Sequence, residues 1–553
     1  MRVLSALLRR LCPCAVALAL PFPCLGADKP DNVVLRYHFV GAAQLADNTN
    51  AAAAKAVFAQ PTTVKFESLV LNRLAGQLAA SLHLPTNAET EGLLRPLLDD
   101  LLRAESVASL GGAPGKPLNY VLAVNLDPQR VEAWQKNLAA ALHAPGEALR
   151  AGKFSGQEWK TGTGESFWMV PAQNWVLVGR GEDLASVRSG YLEQIQQLGR
   201  PTPELDVNFF EAKVDWPRLA NWVSLSACPL KLGRTDIAIV AQYGNFYMTS
   251  HVTYPTAIEW QPRPMSLPTN LVRGPLFSFA CGQNVEPFLK SDETLSRFCS
   301  NPLSDQFYFW SMREMPLQDY LAWPAKDPAK TMETLSGQAI GALNPKLGEL
   351  NGSTLIWAPK ASRVLWQGLP LAVPALMLPP ASNGQYLVAG LFALTPGQGP
   401  AAAALWEQIE GRTDLVYYDW EFTGPRVREL LTVTEIVPLL KMLGIGPHLP
   451  SVPPAAPATA GTYPPLPAET ASRLNTAKQW LLGLTPLLKN TITEVTKTGP
   501  NELTVLRNSP FVFSSLELVL LTHWLSDTPC GPLDWGLLPQ AKISPAGMPS
   551  KGH

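Results

Sequence analysis

The stretch Leu415-Val416-Tyr417-Tyr418-Asp419-Trp420-Glu421-Phe422 decides the fold. Side chains of a strand alternate between the two faces of a sheet, so Tyr417, Asp419 and Glu421 fall on one side and Tyr418, Trp420 and Phe422 on the other. An earlier stretch has the same phase around an Asp-Trp pair: Glu211, Lys213 and Asp215 oppose Phe210, Ala212, Val214 and Trp216. Each leads through a Pro-Arg pair, Pro217-Arg218 and Pro425-Arg426, into an amphipathic segment. This alternation predicts sheets with one face packed on helices and one face wet. The fold class expected is α+β, with antiparallel-rich sheets packed on helices and one unit used twice.

Working outward from these strands, the first half predicts a strand at Val33 to Val40 and helices at Val64 to Leu82 and Glu91 to Arg103. A buried strand at Leu118 to Leu126 and a helix from Pro128, capped by Asp127, come next. Phe167 to Val170 and Trp175 to Val178, parted by Pro171-Ala172-Gln173-Asn174, read as an antiparallel meander. Ile237 to Tyr243 and Phe246 to Tyr254 flank Gly244-Asn245, a two-residue hairpin turn. The second half predicts strands at Leu276 to Cys281, Phe307 to Met312 and Tyr386 to Leu394, and helices at Pro328 to Leu343 and Val427 to Leu443. The expected division is a signal segment at 1–27, α+β units at 28–260 and 261–446, a Pro/Ala-rich linker at 447–467 and a helix-hairpin-helix segment at 468–553.

The N-terminus places Arg2, Arg9 and Arg10 ahead of the apolar run Leu11 to Leu20, then breaks it at Pro21 and Pro23 before Cys24-Leu25-Gly26-Ala27. That is the pattern of a cleavable export signal, and it predicts a periplasmic or extracellular protein with no transmembrane span once the signal is gone. The apolar segment Leu365 to Pro380 carries four prolines and reads as a buried extended connection, with an exposed patch for a partner or membrane as the other possibility. Of 553 residues 46% are hydrophobic and only 16% charged, so core material is plentiful. A net charge of -1, without long runs of either sign, argues against nucleic acid as a partner. Cys281, Cys299, Cys228 and Cys530 remain after the signal; in an oxidising compartment they allow two disulfides, Cys281 with Cys299 and Cys228 with Cys530 being one pairing.

Chemistry-bearing motifs are scarce. Gly115-Lys116-Pro117 fails the phosphate-loop pattern, since Leu110 stands at the first glycine and Pro117 replaces the hydroxyl residue. The histidines His38, His83, His143, His251, His448, His523 and His553 are scattered singly, so no metal site is assigned. Asp419 and Glu421 share a strand face and are the best candidates for an acid and base pair, yet solvated sheet faces carry such residues routinely and Arg426 or Arg428 would pair with them. Asp99-Asp100 and Glu182-Asp183 are weaker candidates, because neighbours in sequence point apart on a helix. No catalytic residue and no cofactor is assigned.

The ordering of Asp127-Pro128, Trp134, Asn174 to Gly179, Val214-Asp215-Trp216, Tyr417 to Glu421 and Ser509-Pro510 to Leu525 resembles uncharacterised exported bacterial proteins carrying domains of unknown function, in which α+β units occur twice. The likeness covers most of the mature chain, and its motifs are structural; it implies no catalytic residues. The expected function is that of a non-enzymatic periplasmic or envelope protein that binds an envelope protein or ligand. The alternative is a hydrolase of envelope polymer or peptide using Asp419 and Glu421.

Overall fold

A computed structural model describes residues 33–528 except 113–117, 144–145, 161–165, 182, 202–208, 221–232, 286–304, 314–317, 348–353, 369–371, 381–384, 395–398 and 443–466. The expected signal segment at 1–27 and residues 447–466 of the expected Pro/Ala-rich linker fall outside the described residues. The chain divides into two compact units, meeting in sequence at Pro255 and Thr256.

The N-terminal unit is built on strands β1 (Val33–Phe39), β2 (Ser106–Gly111), β3 (Asn119–Asn125), β4 (Glu147–Ala151), β5 (Phe154–Lys160), β6 (Ser166–Ala172), β7 (Trp175–Arg180), β8 (Phe210–Asp215), β9 (Arg234–Gln242) and β10 (Asn245–Thr253). All pairings are antiparallel, and the spatial order is β10-β9-β8-β1-β2-β3-β7-β6-β5-β4. Helices α1 (Pro61–Ser81), α2 (Ala88–Arg103) and α3 (Pro128–Ala141) bury Leu94, Trp134 and Leu138 against Val124, Val176 and Met169, while α4 (Ala185–Leu198) packs Tyr191 and Ile195 with Val121 and Leu177. Local signals place these helices well. Asn87 and Asp127 each accept a hydrogen bond from a first-turn backbone N–H, Thr90 N at 2.8 Å and Arg130 N at 2.9 Å, and so cap α2 and α3.

The C-terminal unit is built on β11 (Leu276–Gln283), β12 (Gln306–Met312), β13 (Asp319–Pro324), β14 (Thr354–Ala358), β15 (Arg363–Gln367), β16 (Ala375–Met377), β17 (Tyr386–Gly390), β18 (Leu415–Phe422), β19 (Asn490–Gly499) and β20 (Glu502–Ser509). They are again antiparallel, in the order β20-β19-β18-β11-β12-β13-β17-β16-β15-β14. This is the order of the N-terminal unit, strand for strand. The hairpin expected in the tail is β19 and β20, which extend the sheet from β18. Helices α5 (Pro328–Leu347), α6 (Thr423–Met442), α7 (Ala468–Leu484) and α8 (Ser515–Ser526) belong to the same unit, with a short helix at Ala403–Glu407. Its largest core gathers Phe279, Cys281, Tyr308, Trp310, Tyr320 and Tyr418 on one sheet face, with Trp420 packed against it.

Several local expectations need correction. The β9–β10 turn is Tyr243-Gly244, at φ of 51° and 80°, because both turn positions of such a hairpin need positive φ and Asn245 already pairs with Gln242. In the meander the turn is Gln173-Asn174 alone, with Pro171 and Ala172 still in β6. Leu365 to Pro380 is no simple connection: its described residues form part of β15 and the whole of β16, with Ala375 and Met377 buried and Val373 exposed. The Asp-Trp pairs are not equivalent. Asp215 immediately precedes the short helix Trp216–Leu219 and accepts from Arg218 N at 3.2 Å, whereas Asp419 lies within β18, short of α6.

Among the described residues no helix is long and apolar enough to cross a membrane. Cys281 is a free thiol with 0% exposure, and the other cysteines of the expected pairings, Cys299, Cys228 and Cys530, lie outside the described residues. Burial pushes the thiol's pKa well above its usual value, far from the thiolate that reacts. Thiol titration of the folded protein should therefore leave Cys281 unlabelled until denaturant is added, read by peptide mapping.

Candidate functional site

The second sheet's polar face is where the sequence placed its best chemistry. Across that face the register lines up Ser509, Thr491, Glu421, Ser278, Ser311 and Asp319 in one row. The neighbouring row carries Arg507, Thr493, Asp419 and Ala280. Both rows were expected to be wet. Instead Glu421 is 5% exposed, and Ser278, Ser311, Thr491 and Ser509 are also buried, because α6 and α8 lie over them.

The covering helices bring their own charges. Arg507 Nη1 and Nη2 donate to Glu517 Oε2 and Oε1 at 2.6 and 3.1 Å, and Arg507 Nε donates to Thr493 Oγ1 at 2.9 Å. Glu517 also accepts from Ser514 N at 2.8 Å, closing a capping box at the start of α8. From α6, Arg426 pairs with Asp319 at 2.7 Å and with Glu429, and its guanidinium stacks 5.4 Å from the Phe309 ring. Arg426 thus spends itself away from Asp419 and Glu421, contrary to expectation, and Arg428 donates to Thr485 Oγ1 instead. The two buried cations of this seam each have a carboxylate of their own.

Arg426 and Arg507 act on Asp419, and Arg426 on Glu421, through space only, and the donors to Glu421 are neutral. Glu421 Oε1 accepts from Ser515 N and Oε2 from Ser515 Oγ, both at 2.6 Å. Desolvation raises the pKa of Asp419 well above the carboxylate range, and the nearby Glu421 adds to it while Arg507 opposes it. Glu421 is raised by the same burial, partly offset by its Ser515 bonds. Two carboxyls with raised pKa are an acid–base candidate on electrostatic grounds. However, a general acid or base must reach the substrate proton, and Glu421 has both oxygens engaged beneath a helix.

An open cleft of about 590 Å³ lies elsewhere, in the N-terminal unit, lined by Arg95, Pro96, Asp99, Asp100, Arg103 and Arg130. Helical spacing accounts for it: Arg95, Asp99 and Arg103 follow one another at four-residue steps along α2, and Arg130 enters from the first turn of α3. Asp99 and Asp100 therefore converge on one cleft, where sequence reasoning had them pointing apart. Of the other dismissed pair, Asp183 accepts from Asn119 Nδ2 at 2.9 Å, and Glu182 is outside the described residues.

Sequence reading missed Arg507, Glu517, Asp319, Glu429 and the three cleft arginines. The available signal was weak: Ser514-Ser515-Leu516-Glu517 is a capping-box pattern, and Glu517 is the one acidic residue of a mostly apolar helix. Among the described residues no three His, Cys, Asp or Glu side chains converge as a metal site would require. Comparison with family models, with curated proteins and with solved structures finds no match to this chain.

Proposed function

We propose that this chain is an exported protein of the bacterial envelope that works by binding a protein partner or ligand, not by catalysis. One observation carries the choice: Glu421, half of the carboxylate pair a hydrolase would need, is sealed by Ser515 under α8, whereas the charged cleft on α2 and α3 is open. Export is supported by the basic and apolar pattern of residues 2–27. Duplication of an ancestral unit is supported by the shared strand order, since two ten-strand orders rarely coincide without common descent or a strong topological reason.

The test is capture from envelope extract with the mature chain as bait, run beside a turnover panel of peptides and glycans. Specific retention of one envelope species, without turnover, is the expected result. An empty capture together with turnover that disappears in Asp419→Asn or Glu421→Gln would replace this reading with the hydrolase.

A further inference from the structure

We propose that the cleft between α2 and α3 binds a carboxylate group, anchored by Arg103 and Arg130; this rests on the reading of the chain as a binding protein. Charge accounting decides the sign of the ligand. Asp100 is saturated: it accepts from Arg130 Nε at 3.1 and 3.0 Å, from Arg130 Nη2 at 2.7 Å and from Trp134 Nε1 at 2.8 Å. Asp99 accepts from Arg95 Nη2 at 3.0 Å, and the other terminal nitrogen of Arg95 is spent on Asn72 and the Ser68 carbonyl. These two ion pairs leave Arg103, an exposed side chain with no hydrogen bond or ion pair among the described residues. Three guanidiniums against two carboxylates give the lining one positive charge in excess, with the capping carboxylate of Asp127 beside Arg130 outside the lining.

The donors that remain line the same cleft. Arg130 turns Nε and Nη2 to Asp100, and Nη2 also to the Pro96 carbonyl at 3.3 Å, which leaves Nη1 open. Its hydrogen bonds to Asp100 raise its pKa further, so it stays charged. A planar guanidinium edge suits a carboxylate, whose two oxygens can accept in parallel. A single excess charge is matched by a monoanion, while a dianion such as phosphate would set a second negative charge beside Asp99. Pro96 is the one apolar liner, so binding draws little on apolar burial and depends on salt. For an exported binding protein, the chemistry fits the C-terminal carboxylate of a peptide.

Calorimetric titration of the mature protein with acetyl-Ala-Ala tests this, beside acetyl-Ala-Ala amide and inorganic phosphate. The free acid should bind one to one, the amide about tenfold more weakly or worse, and phosphate no tighter than the acid. Arg103→Ala should weaken the acid by about tenfold and Arg103→Lys by less, since the charge remains while the fork is lost. Equal affinity for acid and amide, tighter phosphate, or an unchanged Arg103→Ala would overturn the assignment. Arg103 is exposed, so an unaltered melting curve shows that a loss is not misfolding. If the peptides fail while envelope capture still retains its species, the carboxylate site falls and the binding reading stands; if capture is empty and turnover is found, both fall.

Discussion

Asp419→Asn should stabilise the protein at alkaline pH and flatten its stability profile. The sign follows from linkage. A carboxyl whose folded pKa lies above its unfolded value, about 3.9 for Asp, contributes stability that is fully present below that unfolded value and is lost as pH rises through the folded one. Asp419 and Glu421 are both of this kind, because burial costs them more in the charged form and each disfavours ionisation of the other. A tenfold change in an acidity constant is worth about 1.4 kcal/mol, so relief at position 419 should amount to roughly 1–2 kcal/mol at pH 8 after discounting for relaxation. Urea denaturation of wild type and variant from pH 4 to pH 9 reads this directly. The difference between them should grow with pH; a difference constant across the range would show that Asp419 is not held protonated by the fold. The wild-type curve alone is a poorer guide, since Asp414, lowered by its bonds to Arg412, pulls the other way as acid is added.

Glu517→Ala should cost far more, about 3–5 kcal/mol, the loss expected when one partner of a buried pair is removed. Both side chains of the Arg507–Glu517 pair are 3% exposed, so truncation strands a guanidinium that water cannot reach. It also deletes the back-bond to Ser514 N and with it the capping box, worth on the order of another 1 kcal/mol. Replacing both partners by apolar residues, Arg507→Met with Glu517→Leu, should recover most of the loss, because the desolvation cost of the pair disappears with its attraction. A double-mutant cycle by chemical denaturation measures the coupling. A single-variant loss below about 1 kcal/mol, of the size seen for exposed pairs, would mean that water enters the seam.

The two layers of information in the sequence were not equally legible. Period-two alternation announced β18 at its true bounds, Leu415–Phe422, and β8 nearly so, because a strand with unlike faces writes its period into the residues. Helix starts were legible where Asp127 caps and Pro128 follows. Strand β2 escaped notice because Ser106 to Ala108 bury side chains on both faces, which erases the alternation. Strands β14 to β16 were hidden by their brevity and by the prolines around them. The candidate site was half legible. Asp419 and Glu421 stood out as a pair, but what covers them comes from Arg426, Arg507 and Glu517 on elements separated in sequence, and no local pattern announces such a meeting. The cleft was illegible for the opposite reason, since Arg95, Asp99 and Arg103 look like any charged helix flank until α3 brings Arg130 beside them.

The row from Ser509 to Asp319 bears on more than chemistry. Most of its polar groups are matched: Thr491 Oγ1 donates to Ser509 Oγ at 3.0 Å, Thr423 at the start of α6 shares a hydrogen with Thr491 at 2.7 Å, Ser311 bonds Asp319 and Ser515 of α8 holds Glu421, while the buried Ser278 Oγ has no partner among the described residues. Sliding β18 or β13 by a single residue would drive a tryptophan or tyrosine under the helices and a carboxylate into the aromatic core. The row therefore acts as a ruler for assembly, rejecting misaligned sheets at an unsatisfied polar contact. Purely apolar rows would let neighbouring alignments compete, and a sheet of ten strands has many of them to exclude.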